Sequence, residues 1–413
     1  MRKRSTGIAA IFLLTVLALG CGSTFRPIAT PIPEPGGDPN ALKRAIVVTD
    51  NGGARGGASV INTTGDSNLG NVPAGIGPVH AGFVTVARTY IANQTENTVT
   101  RILTSSPGST PATIPMPPGC APQYVFNRLT VNAYVACPGN DTVAVLNSGQ
   151  DSVVTSVALA AGAGPVGINQ TLSGNKVYSL NGGNGTVTVI AALDNTVSTT
   201  LAVGGSPTWS DMSQDGGLLF VANASGYVTP IDTATDTVLP NIAVGANPTF
   251  VAFDTNRRRL YVVNQGGGSV SVIDAVSTSP TYLTVIRTVT VGATPTSATA
   301  LRNGTKVYVA NCGSDSVSVI DAASLAVTKT IATGTCPISV ASPTDSSRAV
   351  VGVQGAAGGT DFTDPPSILD ISTQTDTVIV NLKPAQQSAA CDAATAPNNY
   401  CALQRPVFVV MTP

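Results

Sequence analysis

One unit of sequence recurs along this chain with a period in the low forties. In its clearest copy, residues 308–321 read YVANCGSDSVSVID, two runs rich in β-branched and aromatic residues around a turn. A proline precedes each such hairpin, and successive prolines are 44, 43, 42, 41, 47 and 42 residues apart, at Pro78, Pro122, Pro165, Pro207, Pro248, Pro295 and Pro337. A period of this length, with four strand-like runs per unit, is typical of β-propeller blades, which must stack around an axis to bury both of their faces.

The two ends of the repeat region complement each other. The chain enters it at Ala45 with the second strand of a blade, and residues 405–411 read as an inner strand without the rest of its blade. Pairing the two would complete one blade and close the ring without an open edge. We therefore predict an all-β fold, a single β-propeller of four-stranded blades closed by its N- and C-terminal strands. Eight blades are expected, with seven as the alternative because the copies near Ile46 and Val350 are degenerate.

The repeat resembles the YVTN-repeat β-propeller family, whose tetrapeptide appears here as YVAN at residues 308–311. The blades that start at Pro248 and Pro295 match the family unit almost throughout, and the resemblance covers roughly residues 44–413. It implies a propeller outside the bacterial cytoplasm, usually with seven blades. It says little about activity, because propellers host many unrelated functions.

The N-terminus reads as an export signal. Residues 2–4 are basic and residues 8–19 form an apolar run that is short for a membrane span. The sequence that ends at Cys21 resembles a bacterial lipobox, and the alternative is an ordinary signal peptide with an incidental cysteine. We predict a lipoprotein signal at 1–20, lipidation of Cys21, a proline-rich tether at 21–43 and the propeller at 44–413. The protein is then lipid-anchored to the cell envelope, at the periplasmic face or the cell surface, with the anchor as its only membrane contact.

Six further cysteines fit disulfides in an exported chain, although six cysteines allow fifteen pairings. Antiparallel strands place the residue before an inner strand and the last residue of the second strand on one rim. Cys120 and Cys137 occupy these positions in one blade. Cys312 and Cys336 occupy nearly the same positions, but in neighbouring blades. The predicted pairs are Cys120 with Cys137, Cys312 with Cys336, and Cys391 with Cys401.

Composition argues against several functions. Without residues 1–20 the chain has 18 Lys and Arg against 22 Asp and Glu, a net charge of −4, so nucleic acid is not expected as a partner. The chain has one histidine and lacks C-x-x-C-H and G-x-S-x-G motifs, so we expect no cofactor and no metal. Asp211 and Asp254 are the only carboxylates placed on inner strands. Asp232, Asp274, Asp321 and Asp370 are expected to close third strands by accepting hydrogen bonds from turn amides.

Aromatic residues share one register position. Two residues after the marker prolines stand His80, Tyr124, Gly167, Trp209, Phe250, Ser297, Ser339 and Phe408, although Phe, Trp and Tyr make up only 5% of the chain. These side chains either pack between blades or form a ring at the mouth of the axis. In the second arrangement they offer stacking surfaces for a sugar, an aromatic group or a peptide side chain, with Gln123, Thr208, Thr249 and Thr296 as polar neighbours.

The function predicted from these features is a non-catalytic binding or scaffold propeller. Its partner would be a small molecule, a glycan or a protein, and the protein would be a monomer. The alternative is a lactonase-like hydrolase that uses the axial mouth, with Asp211 or His80 as the group to test.

Overall fold

The computed structural model describes residues 43–85, 88–128, 131–356, 364–384 and 404–411. The predicted signal, Cys21, the tether up to residue 42, and the pair Cys391 and Cys401 lie outside these ranges. Within them the regular secondary structure is β-strand, apart from two short 3-10 turns at Gln265–Gly267 and Cys312–Ser314. No helix in the described ranges is long and apolar enough to cross a membrane.

The strands form eight antiparallel sheets, which are the blades. Blade 1 contains β1 (Arg44–Asn51), β2 (Ala54–Asn62) and β3 (Ser67–Ile76). Blade 2 contains β4 (Pro78–Thr85), β5 (Arg88–Asn93), β6 (Thr98–Leu103) and β7 (Ala112–Pro115). Blade 3 contains β8 (Tyr124–Phe126), β9 (Asn132–Cys137), β10 (Thr142–Asn147) and β11 (Ser152–Ala158). Blade 4 contains β12 (Pro165–Gln170), β13 (Lys176–Asn181), β14 (Thr186–Ala191) and β15 (Thr196–Ala202). Blade 5 contains β16 (Pro207–Met212), β17 (Leu218–Asn223), β18 (Tyr227–Asp232), β19 (Thr237–Val238) and β20 (Ile242–Ala243). Blade 6 contains β21 (Pro248–Asp254), β22 (Arg259–Asn264), β23 (Ser269–Asp274) and β24 (Val285–Thr290). Blade 7 contains β25 (Pro295–Ala300), β26 (Lys306–Asn311), β27 (Ser316–Asp321) and β28 (Ala326–Ala332). Blade 8 contains β29 (Pro337–Ala341), β30 (Arg348–Val353), β31 (Ser367–Ser372) and β32 (Thr377–Leu382), and β33 (Arg405–Met411) completes blade 1.

The ring closes through both ends of the chain. β33 pairs antiparallel with β1, with Val409 opposite Val47, and becomes the inner strand of blade 1. Each inner strand contacts the next one around the ring, including β29 with β33 and β33 with β4. The predicted eight blades and the predicted terminal closure are confirmed, and the seven-blade alternative is wrong for this chain.

Six marker prolines begin their inner strands, and Pro122 and Pro406 lie within two residues of the start of theirs, because a proline has no N–H to donate and is tolerated at the beginning of a strand. In seven blades the pairing register then skips one residue, so that in blade 5 Pro207 pairs with Asn223 and Trp209 with Ala222. This bulge at Thr208 fixes the direction of the side chain that follows it. The register position that carries the aromatic residues is therefore set by a backbone irregularity shared by these blades.

The core lies between neighbouring blades. Its largest fully buried side chains belong to the second strands, at Tyr90, Tyr134, Tyr178, Phe220, Tyr261 and Tyr308. The expected turn role of the strand-closing aspartates holds for Asp232, Asp274 and Asp321. Each accepts a hydrogen bond from the backbone amide two residues later, and Asp232 and Asp321 also accept one from the amide three residues later. The expectation is wrong for Asp370, which lies in the middle of β31 opposite Val350 and is fully buried.

Two of the three predicted disulfides lie in the described ranges, and both are present. Cys120 and Cys137 are joined within blade 3, with their Cα atoms 4.3 Å apart. Cys312 in blade 7 is joined to Cys336, the residue before the inner strand of blade 8, with a Cα separation of 3.7 Å. The second bridge therefore ties neighbouring blades together on the rim where the inner strands begin.

Candidate functional site: the axial aromatic cluster

Five ring side chains meet at the axis, each from a different inner strand. His80 stacks on Tyr124 with ring centroids 3.8 Å apart and lies 4.3 Å from Phe408. Trp209 stacks on Phe250 at 4.6 Å, and its centroid is 5.4 Å from that of Tyr124. We call these five residues the aromatic cluster. The structure thus brings together all the aromatic residues that the sequence placed at this register position.

The cluster spans the axis rather than lining a wide pore. Blades 1 and 5 lie opposite each other in a ring of eight, and the rings they contribute, Phe408 and Trp209, have centroids only 6.1 Å apart. Tyr124, Trp209, Phe250 and Phe408 nevertheless keep part of their surface exposed. The arrangement is a plug of stacked rings with accessible faces, a form suited to stacking a planar group. Its role in binding remains a prediction.

His80 is the least exposed member of the cluster, with 6% of its surface accessible. Its Nδ1 accepts a hydrogen bond from the backbone N–H of Val125 in the next blade, at 3.4 Å. This acceptor role places the proton of the neutral ring on Nε2. Burial lowers the pKa of His80 to about 3, because the cation would lose its hydration. His80 is therefore a neutral ring at physiological pH.

A carboxylate lies beyond the cluster on the inner strand of blade 5. The Oδ1 of Asp211 accepts the N–H of Met212 and its Oδ2 accepts the N–H of Phe253, both at 2.8 Å. Burial raises the pKa of Asp211 to about 6, against the opposing effects of these amides and of the positive charge of Arg128. The Asp211 charge also contributes to the raised pKa of Tyr124, so the carboxylate acts on the aromatic cluster.

The sequence did not single out Arg128, which follows the inner strand of blade 3. Its backbone N–H donates to the Gln170 Oε1 at 3.2 Å and its Nη1 donates to the Gln170 carbonyl oxygen at 3.3 Å. A usable signal existed, because Arg128 stands six residues after the marker Pro122. Asp254, the other inner-strand carboxylate, has the same spacing from Pro248, but its Oδ1 caps the turn amides of Asn256 and Arg257.

Two of the four predicted polar neighbours bind the backbone of the next blade, whereas the buried hydroxyl of Thr249 has no hydrogen-bond partner among the described residues. The Thr208 hydroxyl donates to the Pro248 carbonyl oxygen in the next blade at 3.0 Å. Thr296 makes the equivalent bond to Pro337 at 3.2 Å. Gln123 is partly exposed, and its backbone N–H donates to Ala136 at 3.0 Å. At least for Thr208 and Thr296, the hydroxyls are committed to holding adjacent blades together.

Other candidate sites have structural explanations. Arg258 pairs with Asp215 of blade 5 at 3.0 Å, and Arg257 and Arg259 donate to carbonyl oxygens of blade 7. The basic triplet therefore joins three blades. Within the described ranges, no three His, Cys, Asp or Glu side chains are grouped to hold a metal ion. Two shallow grooves of about 510 and 330 Å³ are lined by residues outside the aromatic cluster.

The closed ring of eight four-stranded blades defines the class: the chain is a β-propeller. A family model described as "Lactonase, 7-bladed beta-propeller" matches residues 227–339, which is the part from the third strand of blade 5 to the first strand of blade 8. No curated protein matches the sequence significantly.

Solved propellers share the fold at low sequence identity. Dihydro-heme d1 dehydrogenase NirN, in complex with DHE, is 12% identical with a TM-score of 0.68, covering 86% of this chain and 76% of its own. Kuenenia stuttgartiensis hydrazine synthase is 19% identical with a TM-score of 0.55, and streptogramin B lyase is 15% identical with a TM-score of 0.54. Each of these two likenesses covers 67% of this chain, together with 95% of the hydrazine synthase chain and 90% of the lyase chain. These likenesses show the fold and do not extend to activity.

Proposed function

We propose that this chain is a non-catalytic, ligand-binding propeller of the YVTN-repeat type, held at the bacterial cell envelope by a lipid on Cys21. The observation that carries the binding role is the convergence of five rings from five blades at the axis, four of them with exposed surface. A stacked aromatic surface favours the flat face of a sugar ring or of an aromatic group. The ligand class is therefore a glycan or a small planar molecule.

The ionisable groups of the site support binding over catalysis. A general base must contact the proton it removes and needs a pKa near the working pH. His80 has a pKa of about 3, caused by burial alone, and its Nδ1 is occupied by the Val125 amide. Asp211 meets the pKa requirement at about 6, but both of its oxygens accept hydrogen bonds from backbone amides. Neither group is arranged as an activated base.

The intrinsic fluorescence of Trp209 tests the proposal, because it is the only tryptophan of the chain. We expect soluble glycan fragments or planar aromatic compounds to change its emission saturably. Phe250→Leu removes the ring stacked on Trp209 and should weaken binding at least tenfold. The matched control is Phe253→Leu on the same strand, whose ring packs against Phe220 between blades. Equal affinities of the two variants would overturn the aromatic site.

A lactonase-like hydrolase is the second candidate, favoured by the family match over residues 227–339. In this candidate Asp211 would act at the axis, since its pKa of about 6 is high for a carboxyl group. Assays of the mature protein against lactones and esters, with and without calcium, separate the two functions. Turnover that Asp211→Asn abolishes, while Asp254→Asn preserves it, would establish hydrolysis and reject the non-catalytic proposal.

A further inference from the structure

Asp211 and Arg128 lie at successive levels of the axial channel. Asp211 stands four residues after its marker proline and Arg128 six after its own, whereas the aromatic cluster stands two residues after. Burial dominates the pKa shifts of both groups, yet both residues keep exposed surface. A group that is deep in the molecule and still accessible lines an internal channel. The two charges therefore face the channel on the side of the aromatic cluster away from the disulfide-bearing rim.

The two charges are held apart by the backbone. The amides of Met212 and Phe253 fix both oxygens of Asp211, and Gln170 fixes Arg128 on blade 4, between the two blades that carry the charges. Each charge shifts the pKa of the other group, but among the described residues the two form no direct ion pair. An ionised carboxylate and a guanidinium thus share one region of the channel without neutralising each other.

The opposite wall of the channel carries small and medium-sized side chains. At the register position of Asp211, blades 7, 8 and 1 carry Thr299, Ala341 and Val410, which are all partly exposed near the ends of their inner strands. Blade 3 carries the larger Phe126 at this position. The inner strands opposite the two charges therefore also keep accessible surface at this level.

We propose that this channel binds a small zwitterion, whose ammonium group pairs with Asp211, whose carboxylate pairs with Arg128, and whose apolar body lies against the aromatic cluster. The inference rests on the proposed function, because the cluster receives the body of the ligand. Burying an ionised group without an oppositely charged group in direct contact costs free energy, and a bound ligand of complementary charge offsets this cost. A guanidinium also matches a carboxylate in a bidentate geometry.

Three probes with one common body test the charge requirement: L-phenylalanine, the phenethylammonium cation and the 3-phenylpropanoate anion. Isothermal titration calorimetry of the full mature protein at pH 7.5 measures their affinities. We expect L-phenylalanine to bind at least tenfold more tightly than either singly charged probe. Asp211→Asn should remove this advantage and Arg128→Gln should reduce it. Asp254→Asn is the matched control and should leave all three affinities unchanged, with thermal unfolding reported for every variant.

Each result decides between the two proposals. If the three probes bind equally and Phe250→Leu weakens all of them, the zwitterion inference is wrong and the aromatic site stands. If Asp211→Asn weakens L-phenylalanine while Phe250→Leu does not, the charged channel stands and the aromatic site is wrong. If none of the probes binds, the zwitterion inference is overturned, and the glycan and planar-compound titrations decide the aromatic site separately.

Discussion

The Tyr178 hydroxyl donates a 2.7 Å hydrogen bond to Asp236, although the two residues belong to neighbouring blades. Tyr178 lies on the second strand of blade 4, and Asp236 adopts a left-handed conformation, with φ of 53°, in the turn between the last strands of blade 5. Lys176 adds an ion pair to the same carboxylate at 2.8 Å. A short aspartate tolerates this backbone conformation well, so one residue shapes the turn and joins two blades.

The same bond recurs around the ring. Tyr90 donates to Asp151 at 2.6 Å, Tyr134 to Asn195 at 3.4 Å, and Tyr308 to Asp376. The junction between blades 6 and 7 differs, because Leu325 occupies the left-handed turn position there. The buried hydroxyl of Tyr261 has no hydrogen-bond partner among the described residues, although the Arg259 side chain is near.

We expect Tyr178→Phe to destabilise the propeller by about 1–2 kcal/mol, because it removes a hydrogen bond to a charged group. Tyr261→Phe should be neutral or slightly stabilising, since the hydroxyl that it removes has no partner. The free energy of unfolding in urea, measured for both variants beside the wild type, checks this contrast. Equal losses for the two variants would show that the bond to Asp236 contributes nothing beyond packing.

The blade count, the closure and two disulfides could be predicted because each depends on the position within the repeat. The common register of the rings was also visible in the sequence. Their contact across the axis was not, because it depends on the radius of the ring and on the bulge that aims each side chain. Arg128 and Asp211 affect each other's pKa for a similar reason, since converging inner strands bring together residues distant in sequence. Asp370 was wrongly predicted to end its strand, because the repeat unit around it is degenerate and does not mark the strand boundary.

The only histidine should not titrate in the physiological range. Burial holds the pKa of His80 near 3, so its ring stays neutral from pH 8 to pH 5. The carbon-bound ring protons of a single histidine are unambiguous in an NMR spectrum, and their chemical shifts should stay constant over this range. A titration midpoint between pH 5 and 7 would mean that the ring is open to water, in conflict with the packed cluster.

His80 should also lower the stability of the fold in acid. The unfolded chain takes up a proton on this histidine near pH 6.5, whereas the folded chain does so only near pH 3. The unfolded state therefore binds more protons between these values, and this group makes the stability fall as the pH decreases from about 6.5 to about 3. His80→Phe should reduce that fall. Unfolding free energies of both proteins at pH 7 and pH 4 measure it, and an equal fall in both would contradict the prediction.

The third disulfide remains a prediction, since Cys391 and Cys401 lie outside the described ranges. We expect non-reducing proteolysis followed by mass spectrometry to yield a peptide that joins them, beside the pairs Cys120–Cys137 and Cys312–Cys336. A bridge over so short a loop would stabilise the fold by about 2–4 kcal/mol at most. Alkylation of either cysteine without prior reduction would show that the pair is not formed.

Asp370 occupies a core position at the junction where the ring closes. It lies opposite Val350, and in blades 4, 6 and 7 the residue at this position is a valine opposite the buried tyrosine. Its side chain is fully buried, 3.7 Å from Arg348, which also binds Asp66 of blade 1 at 3.1 Å. Burial and the neighbouring Asp66 raise the pKa of Asp370 to about 8.

The folded chain therefore holds a proton that the unfolded chain has lost above pH 4, so stability decreases as the pH rises from about 4 to about 8. Asp370→Val should remove this decrease and increase the free energy of unfolding at pH 8 by about 2–4 kcal/mol, with a smaller gain at pH 4. Asp370→Asn is the control that removes the charge but keeps a polar group, and it should flatten the pH dependence with less gain. Urea unfolding at pH 4, 6 and 8 measures all three proteins. If the valine variant follows the wild type in parallel across this range, Asp370 is not the titrating group of the closing junction.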